Sequence, residues 1–166
     1  MTDNSKESRW TIPSAVSSSS IFGYSSDGWK FGNASSFSSI PLDTLLEYPF
    51  SVEFKVNDKS ANNVNPIIIF MNSNNNYIGL NYWDTSNSFF RYANSGGGMS
   101  TSDVNCNLVN GSVIRLELTS DTIKTYVEDN LIDTRSHSLN QTDLHFNFQT
   151  GDNRYNVIKD FKIKPL

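Results

Sequence analysis

Glu53, Lys55, Asn81, Trp83, Arg115, Glu117, His145, Asn147 and Gln149 are the residues of this 166-residue chain whose types and spacing suit surface chemistry. Each is set into a run that alternates with apolar neighbours, as in Ile114-Arg115-Leu116-Glu117-Leu118 and Leu144-His145-Phe146-Asn147-Phe148. Successive side chains of a strand point to opposite faces. If Phe50, Val52, Phe54, Ile114, Leu116, Leu118, Ile78, Leu80, Tyr82, Leu144, Phe146 and Phe148 point inward, the polar set is left together on the other side. Trp83 then offers a flat platform to the C–H face of a sugar ring. Arg115, Glu117, Glu53, His145 and Asn147 offer planar polar groups that bond hydroxyls in pairs. An antiparallel sheet also shows polar residues to water as a matter of course, so solvation alone accounts for the same pattern.

A second grouping lies on loops and strand ends. Tyr77, Trp83, Asp84, Phe89, Phe90 and Tyr92 crowd around the flexible run Gly96-Gly97-Gly98. So many aromatics exceed what one sheet face needs, and loops are where binding concentrates. Tyr77 and Tyr92 therefore join the candidate ligand contacts, against the plainer reading of core aromatics and a contact between subunits.

Catalysis is not expected. Glycoside hydrolysis wants two carboxylates flanking one bond, whereas Glu53 and Glu117 each stand alone on their strands. His137 and His145 are unpaired with cysteine or a second close histidine, which argues against zinc. Asp84, Asp103 and Asp129 are the carboxylates available to a calcium ion, but no loop has EF-hand spacing. The single cysteine, Cys106, sits between two asparagines. With no charge beside it to activate a thiolate, it reads as a buried thiol. The Asn-x-Ser/Thr matches at Asn33, Asn110 and Asn140 lie in a chain with 21 Asn and 25 Ser. At that composition such matches are expected by chance.

These residues need strands to position them. The run 113–119, a turn at Ser120-Asp121, the run 122–128, a turn at Asp129-Asn130 and the run 131–135 describe an antiparallel meander. Further strands are expected at 21–22, 28–32, 50–56, 66–71, 77–83, 88–93, 144–149 and 157–163, and an edge strand is expected within 10–20. Residues 42–48 read as a short helical turn stopped by Pro49. Residues 35–39, 57–65 and 101–110 read as loops. No longer helix is expected, and the many Gly, Asn and Asp turns imply two packed antiparallel sheets.

Length places residues 10–166 in one domain behind a disordered lead-in at 1–9. Charged residues are only 18% and the net charge is −4, without a basic patch. That balance excludes nucleic acid as the expected partner. The longest apolar run, 67–71, is far too short to span a bilayer. Residues 1–9 lack the apolar core of a signal peptide.

Four segments carry a family likeness: Gly28-Trp29-Lys30-Phe31, Pro49-Phe50-Ser51-Val52-Glu53-Phe54, the hairpin from Asn110 to Asn130, and Ile158-Lys159-Asp160-Phe161-Lys162-Ile163. Together they resemble the concanavalin A-like lectin/glucanase (laminin-G type) domains. The resemblance implies an all-β jelly-roll sandwich whose closing strand returns beside the first long one. It also implies a carbohydrate-binding, lectin-like module of the kind found in phage tails and adhesins. The expected partner is a glycan or cell-wall polysaccharide, met at an extracellular or virion surface by several copies or subunits of a larger assembly. Two other readings stand beside it: a purely structural subunit of such an assembly, and a glycoside hydrolase or lyase using Glu53 and Glu117.

Overall fold

The computed structural model describes residues 22–25, 28–32, 38–59, 67–83, 89–106, 108–109, 111–140, 143–150 and 155–166. The expected lead-in at 1–9 and edge strand within 10–20 lie outside the described residues. Among those described there are thirteen strands and no helix. They are β1 (Phe22–Ser25), β2 (Gly28–Gly32), β3 (Ser38–Leu46), β4 (Phe50–Lys59), β5 (Ile67–Met71), β6 (Tyr77–Trp83) and β7 (Phe89–Ser95). The remainder are β8 (Val104–Asn105), β9 (Val113–Leu118), β10 (Thr122–Val127), β11 (Asn130–Ser136), β12 (Leu144–Thr150) and β13 (Tyr155–Pro165).

The strands form two antiparallel sheets. A seven-stranded sheet runs β1-β2-β13-β4-β9-β10-β11, and a six-stranded sheet runs β3-β12-β5-β6-β7-β8. The closing strand β13 lies between β2 and β4, and the apolar β5 is held centrally between β12 and β6. The architecture is the pair of packed antiparallel sheets expected from the alternation, in the jelly-roll sandwich that the resemblance implies.

The inner faces are sorted as the period-two pattern requires. Phe50, Val52, Phe54 and Val56 of β4, Ile114, Leu116 and Leu118 of β9, Ile78 and Leu80 of β6, and Leu144 and Phe146 of β12 are all buried. Burying such a side chain is worth about 1.5–3 kcal/mol. A relay of rings crosses the gap: Phe50 of the first sheet meets Phe70 of the second at 5.7 Å, Phe70 meets Phe146 at 5.5 Å, and Phe146 meets Phe161 of β13 at 5.1 Å. Phe161 reaches that position because the register of β13 against β4 slips between Lys159 and Lys162, with Asp160 at φ 53°.

Several sequence expectations are corrected. Residues 42–46 are not a helical turn; they complete β3, where Leu46 pairs with Leu144 and Leu45 with His145. Sheet pairing along β12 overrides the weak local helix signal. The same strand starts at Ser38, inside the loop expected at 35–39. The loop expected at 57–65 begins later, since β4 runs to Lys59, and the short β8 interrupts the one expected at 101–110. The turn between β10 and β11 is Glu128-Asp129, one residue earlier than expected. Both residues have positive φ (49° and 61°), and Val127 pairs with Asn130 across them. A type I′ turn demands that conformation of its two central positions.

The abundant asparagine is turn chemistry where it can be seen. The Asn72 side-chain oxygen accepts from the backbone N–H groups of Asn74 and Asn76 at 3.0 and 3.1 Å, closing the β5–β6 hairpin.

Beyond β11 the chain is pinned by His137. Its backbone N–H donates to the Asp121 carbonyl at 2.8 Å, and its Nδ1 accepts from the Leu139 N–H at 3.2 Å. Tyr48, whose hydroxyl donates to the Leu139 carbonyl, packs 5.8 Å from the imidazole, and burial pushes that phenol up to about 12. The His137 Nε2 is buried with no hydrogen-bond partner. Burial lowers the imidazole pKa from its ordinary range, so the folded protein holds it neutral. Below about pH 6.5 the unfolded chain therefore binds a proton that the folded chain refuses. Stability from this group is complete above that pH and is lost as the pH falls toward the depressed folded value. Urea midpoints measured from about pH 7.5 to about pH 5 should decline, and His137→Gln should flatten that part of the profile.

Candidate functional site

The polar residues expected to share one face lie on two. Glu53, Arg115 and Glu117 belong to β4 and β9 of the seven-stranded sheet. Tyr77, Trp83, His145 and Asn147 belong to β6 and β12 of the six-stranded sheet. Alternation distinguishes inside from outside correctly, but two sheets packed face to face have two outsides. The set does not converge on one ligand.

On the seven-stranded sheet the charges satisfy one another. Lys162 donates to Glu53 at 3.0 Å, and Lys55 pairs with Asp160 at 2.9 Å. Arg115 is ion-paired with Glu117, reaches Asp129 at 3.4 Å and lies 3.9 Å over the Tyr126 ring. The Tyr126 hydroxyl donates to Glu117 at 2.9 Å, and partial burial together with that bond raises its pKa.

On the six-stranded sheet, His145 and Tyr77 are half-buried, and the His145 Nδ1 is buried without a partner. Asn147 is only 4% exposed, opposite Pro41 and Ile69, so it is not the surface contact expected. Trp83 pairs with Phe89 at the end of β6; its side chain, like those of Asn81, Phe89 and Gln149, lies outside the described residues. Asp84 also lies outside them. Asp129 stands on the I′ turn against Arg115, and Asp103 is exposed just before β8. Among the described residues no group of three or more His, Cys, Asp or Glu is placed to hold a metal.

Tyr92 is corrected from ligand contact to support. It is 2% exposed, and burial pushes its phenol well above the usual range. Its hydroxyl shares a 2.9 Å bond with the Thr125 Oγ1. Above its ring, at 4.1 Å, lies the guanidinium of Arg135. Phe90, of the same aromatic grouping, is likewise core.

That contact leads to the polar site the structure does build, at the margin where β11 ends the seven-stranded sheet. The register of β11 against β10 slips between Thr125 and Tyr126, leaving Ile132 without a direct partner. Asp133 is thereby set opposite buried Thr125, and Arg135 opposite buried Ile123. A strand that should offer apolar groups inward offers an acid and a base instead. The Arg135 Nε donates to Asp133 at 2.6 Å. Its Nη1 donates to the Ser102 Oγ at 2.8 Å and the Ser100 carbonyl at 2.9 Å, with the Ser100 Oγ at 3.3 Å sharing one of these two protons.

The triple-glycine run brings those serines into reach. The Gly97 carbonyl accepts from the Ser138 N–H at 2.7 Å. Gly98 has φ +68°, and a Cβ there would lie 2.4 Å from the Ser138 Oγ. The left-handed φ favours glycine there, and any larger residue would also turn the Ser138 hydroxyl aside. Between the loop and the strand opens a shallow cleft of about 480 Å³, lined by Gly98, Ser100, Ser102, Asp133, Thr134, Arg135 and Ser136. Ligand sites commonly measure roughly 300–1,000 Å³.

The chemistry is that of hydroxyl recognition. Each serine oxygen already accepts from Arg135, so its own proton is left to donate. The two oxygens are 3.4 Å apart, close enough for one to donate to the other but not both. At least one donor and the Asp133 carboxylate therefore remain for a ligand that both accepts and donates. Sequence reasoning singled out the glycine loop and missed Ser100, Ser102, Asp133 and Arg135. The available signal was an acid and a base two residues apart, Asp133-x-Arg135, on a strand whose only apolar residues are Leu131 and Ile132.

Removing the clamp should cost stability. Arg135→Met leaves Asp133 and the Ser100 carbonyl without their donor and should lower the unfolding free energy by about 3 kcal/mol. Tyr92→Phe, which removes the hydroxyl shared with Thr125 and close to Asp133 but keeps the ring under Arg135, should cost about 1 kcal/mol. Urea unfolding curves for both variants check the ordering.

Neither a protein-family model nor a curated protein sequence matches the chain. Solved structures do match in fold. A carbohydrate binding module, CBM66 from Bacillus subtilis, is 16% identical with a TM-score of 0.64, over 94% of this chain and 95% of that one. The alginate lyase AlgAT5 of polysaccharide lyase family 7 is 11% identical with a TM-score of 0.66, over 99% and 98%. The Caenorhabditis elegans galectin LEC-6 is 11% identical with a TM-score of 0.53, over 86% and 99%. At these identities the likeness is one of architecture, and it spans lectins, binding modules and lyases alike. The chain shares with these structures the jelly-roll β-sandwich fold.

Proposed function

We propose that this chain is a non-catalytic glycan-binding domain that holds sugar hydroxyls in the cleft between β11 and residues 98–102. The observation that carries the reading is the Arg135 clamp. It fixes two serine oxygens as acceptors beside a carboxylate, in a cleft open to solvent. Folds shared with a galectin and a carbohydrate binding module support it. The non-catalytic part is supported by the pairing of Glu53 with Lys162 and of Glu117 with Arg115. Against hydrolysis in particular stands the single carboxylate lining the cleft among the described residues, where hydrolysis of a glycosidic bond uses two. The Asp129 carboxylate already faces Arg115, which favours binding without calcium.

A shallow cleft holds its ligand weakly, and such sites gain strength when several copies engage together. Presentation in multiple copies on an extracellular, phage-tail or cell-surface assembly, for adhesion or host-receptor recognition, fits this reading.

Glycan-array binding followed by calorimetry tests it. The double variant Ser100→Ala/Ser102→Ala should lose at least about tenfold in affinity. A chelator and Glu117→Gln should leave binding unchanged, with no reducing ends released. Loss of binding in Trp83→Ala with the serine variant unaffected would move the site to β6 of the six-stranded sheet. Absence of any glycan signal, with copies assembling instead, would leave the chain a structural subunit.

A further inference from the structure

We infer that the cleft selects uncharged sugars presenting a vicinal diol and rejects sugar acids; this rests on the glycan-binding reading above. The charge balance of the site carries it. Among the described residues the cleft is lined by one cation and one anion, and they are not equally presented. The Arg135 side chain is 8% exposed; its Nε donates to Asp133, its Nη1 to Ser100 and Ser102, and its face lies on Tyr92, which leaves Nη2 as its one nitrogen without a bond among the described residues. The Asp133 side chain is 22% exposed. What a ligand meets is therefore serine hydroxyl and carboxylate, with the guanidinium beneath them as their support.

A sugar hydroxyl can donate to a carboxylate while its neighbour on the ring accepts from a serine. Two adjacent hydroxyls thus answer the two kinds of group the cleft displays. A second carboxylate brought to the same place cannot donate to Asp133 and is repelled by it. No aromatic residue lines the cleft among the described residues. Selection therefore acts on the hydroxyl pattern and charge of the ligand and not on stacking of its ring face.

Methyl galactoside and methyl galacturonide, which differ only in CH₂OH against carboxylate, make the test by calorimetry or ligand-observed NMR. The neutral sugar should bind at least about tenfold more tightly. Raising the salt concentration should strengthen what binding the uronide has, by screening a repulsion, and leave the galactoside unchanged. Asp133→Asn should narrow the gap between them. Because that variant disturbs the clamp, the salt response of the unaltered protein decides the matter if it fails to fold. Equal or tighter uronide binding, weakening with salt and lost in Ser100→Ala/Ser102→Ala, would show Arg135 in command and overturn the selectivity while keeping the glycan site. Failure of both sugars and of neutral polysaccharide to bind would overturn the glycan reading itself.

Discussion

Each sheet must hide one face, and the only cover available is the other sheet. That requirement is met in the middle of the sandwich by apolar side chains and by the ring relay from Phe50 through Phe70 and Phe146 to Phe161. It cannot be met the same way at the margin, where an edge strand has a neighbour on one side only. At β11 the molecule closes the gap with Arg135, laid flat on Tyr92 of the opposite sheet and bonded to Asp133 on its own strand. Everything polar about the cleft follows from that substitution.

Glycine, serine and arginine act there as one unit. Gly98 lets the loop pass close to Ser138, the passage delivers Ser100 and Ser102, and the guanidinium then fixes how their hydroxyls point. His137 and Tyr48 secure the chain directly after the clamp, so the cleft is anchored on both flanks. The outer face of the seven-stranded sheet is a different kind of surface. Arg115, Glu117, Tyr126, Glu53 and Lys162 bond to each other and leave little chemistry unspent.

What could be read from the sequence was whatever is local. The β9–β10 hairpin was legible because Ile114, Leu116 and Leu118 answer Ile123, Thr125 and Val127 across a short polar turn. Two packed sheets followed from strand after strand of that kind, and the jelly-roll connection from the family resemblance. Which residues share an outer face was not legible, because strand order is set by distant pairings such as β13 entering between β2 and β4. The helix expected at 42–48 failed for the same reason: β12, far along the chain, supplies the partner for Leu45 and Leu46. Arg135 was hidden by one unpaired residue. Without the slip at Ile132, Leu131 shares a face with Asp133 and Arg135; with it, Leu131 turns to solvent and the two charges turn in.

An edge strand normally displays a free row of amide groups on which a stranger's strand can dock. Arg135 and Asp133, turned inward at that border, deny an incoming chain the greasy underside it would need to stay in place. The same pair that shapes the cleft therefore also serves as one of the devices that blunt the open border of a sheet.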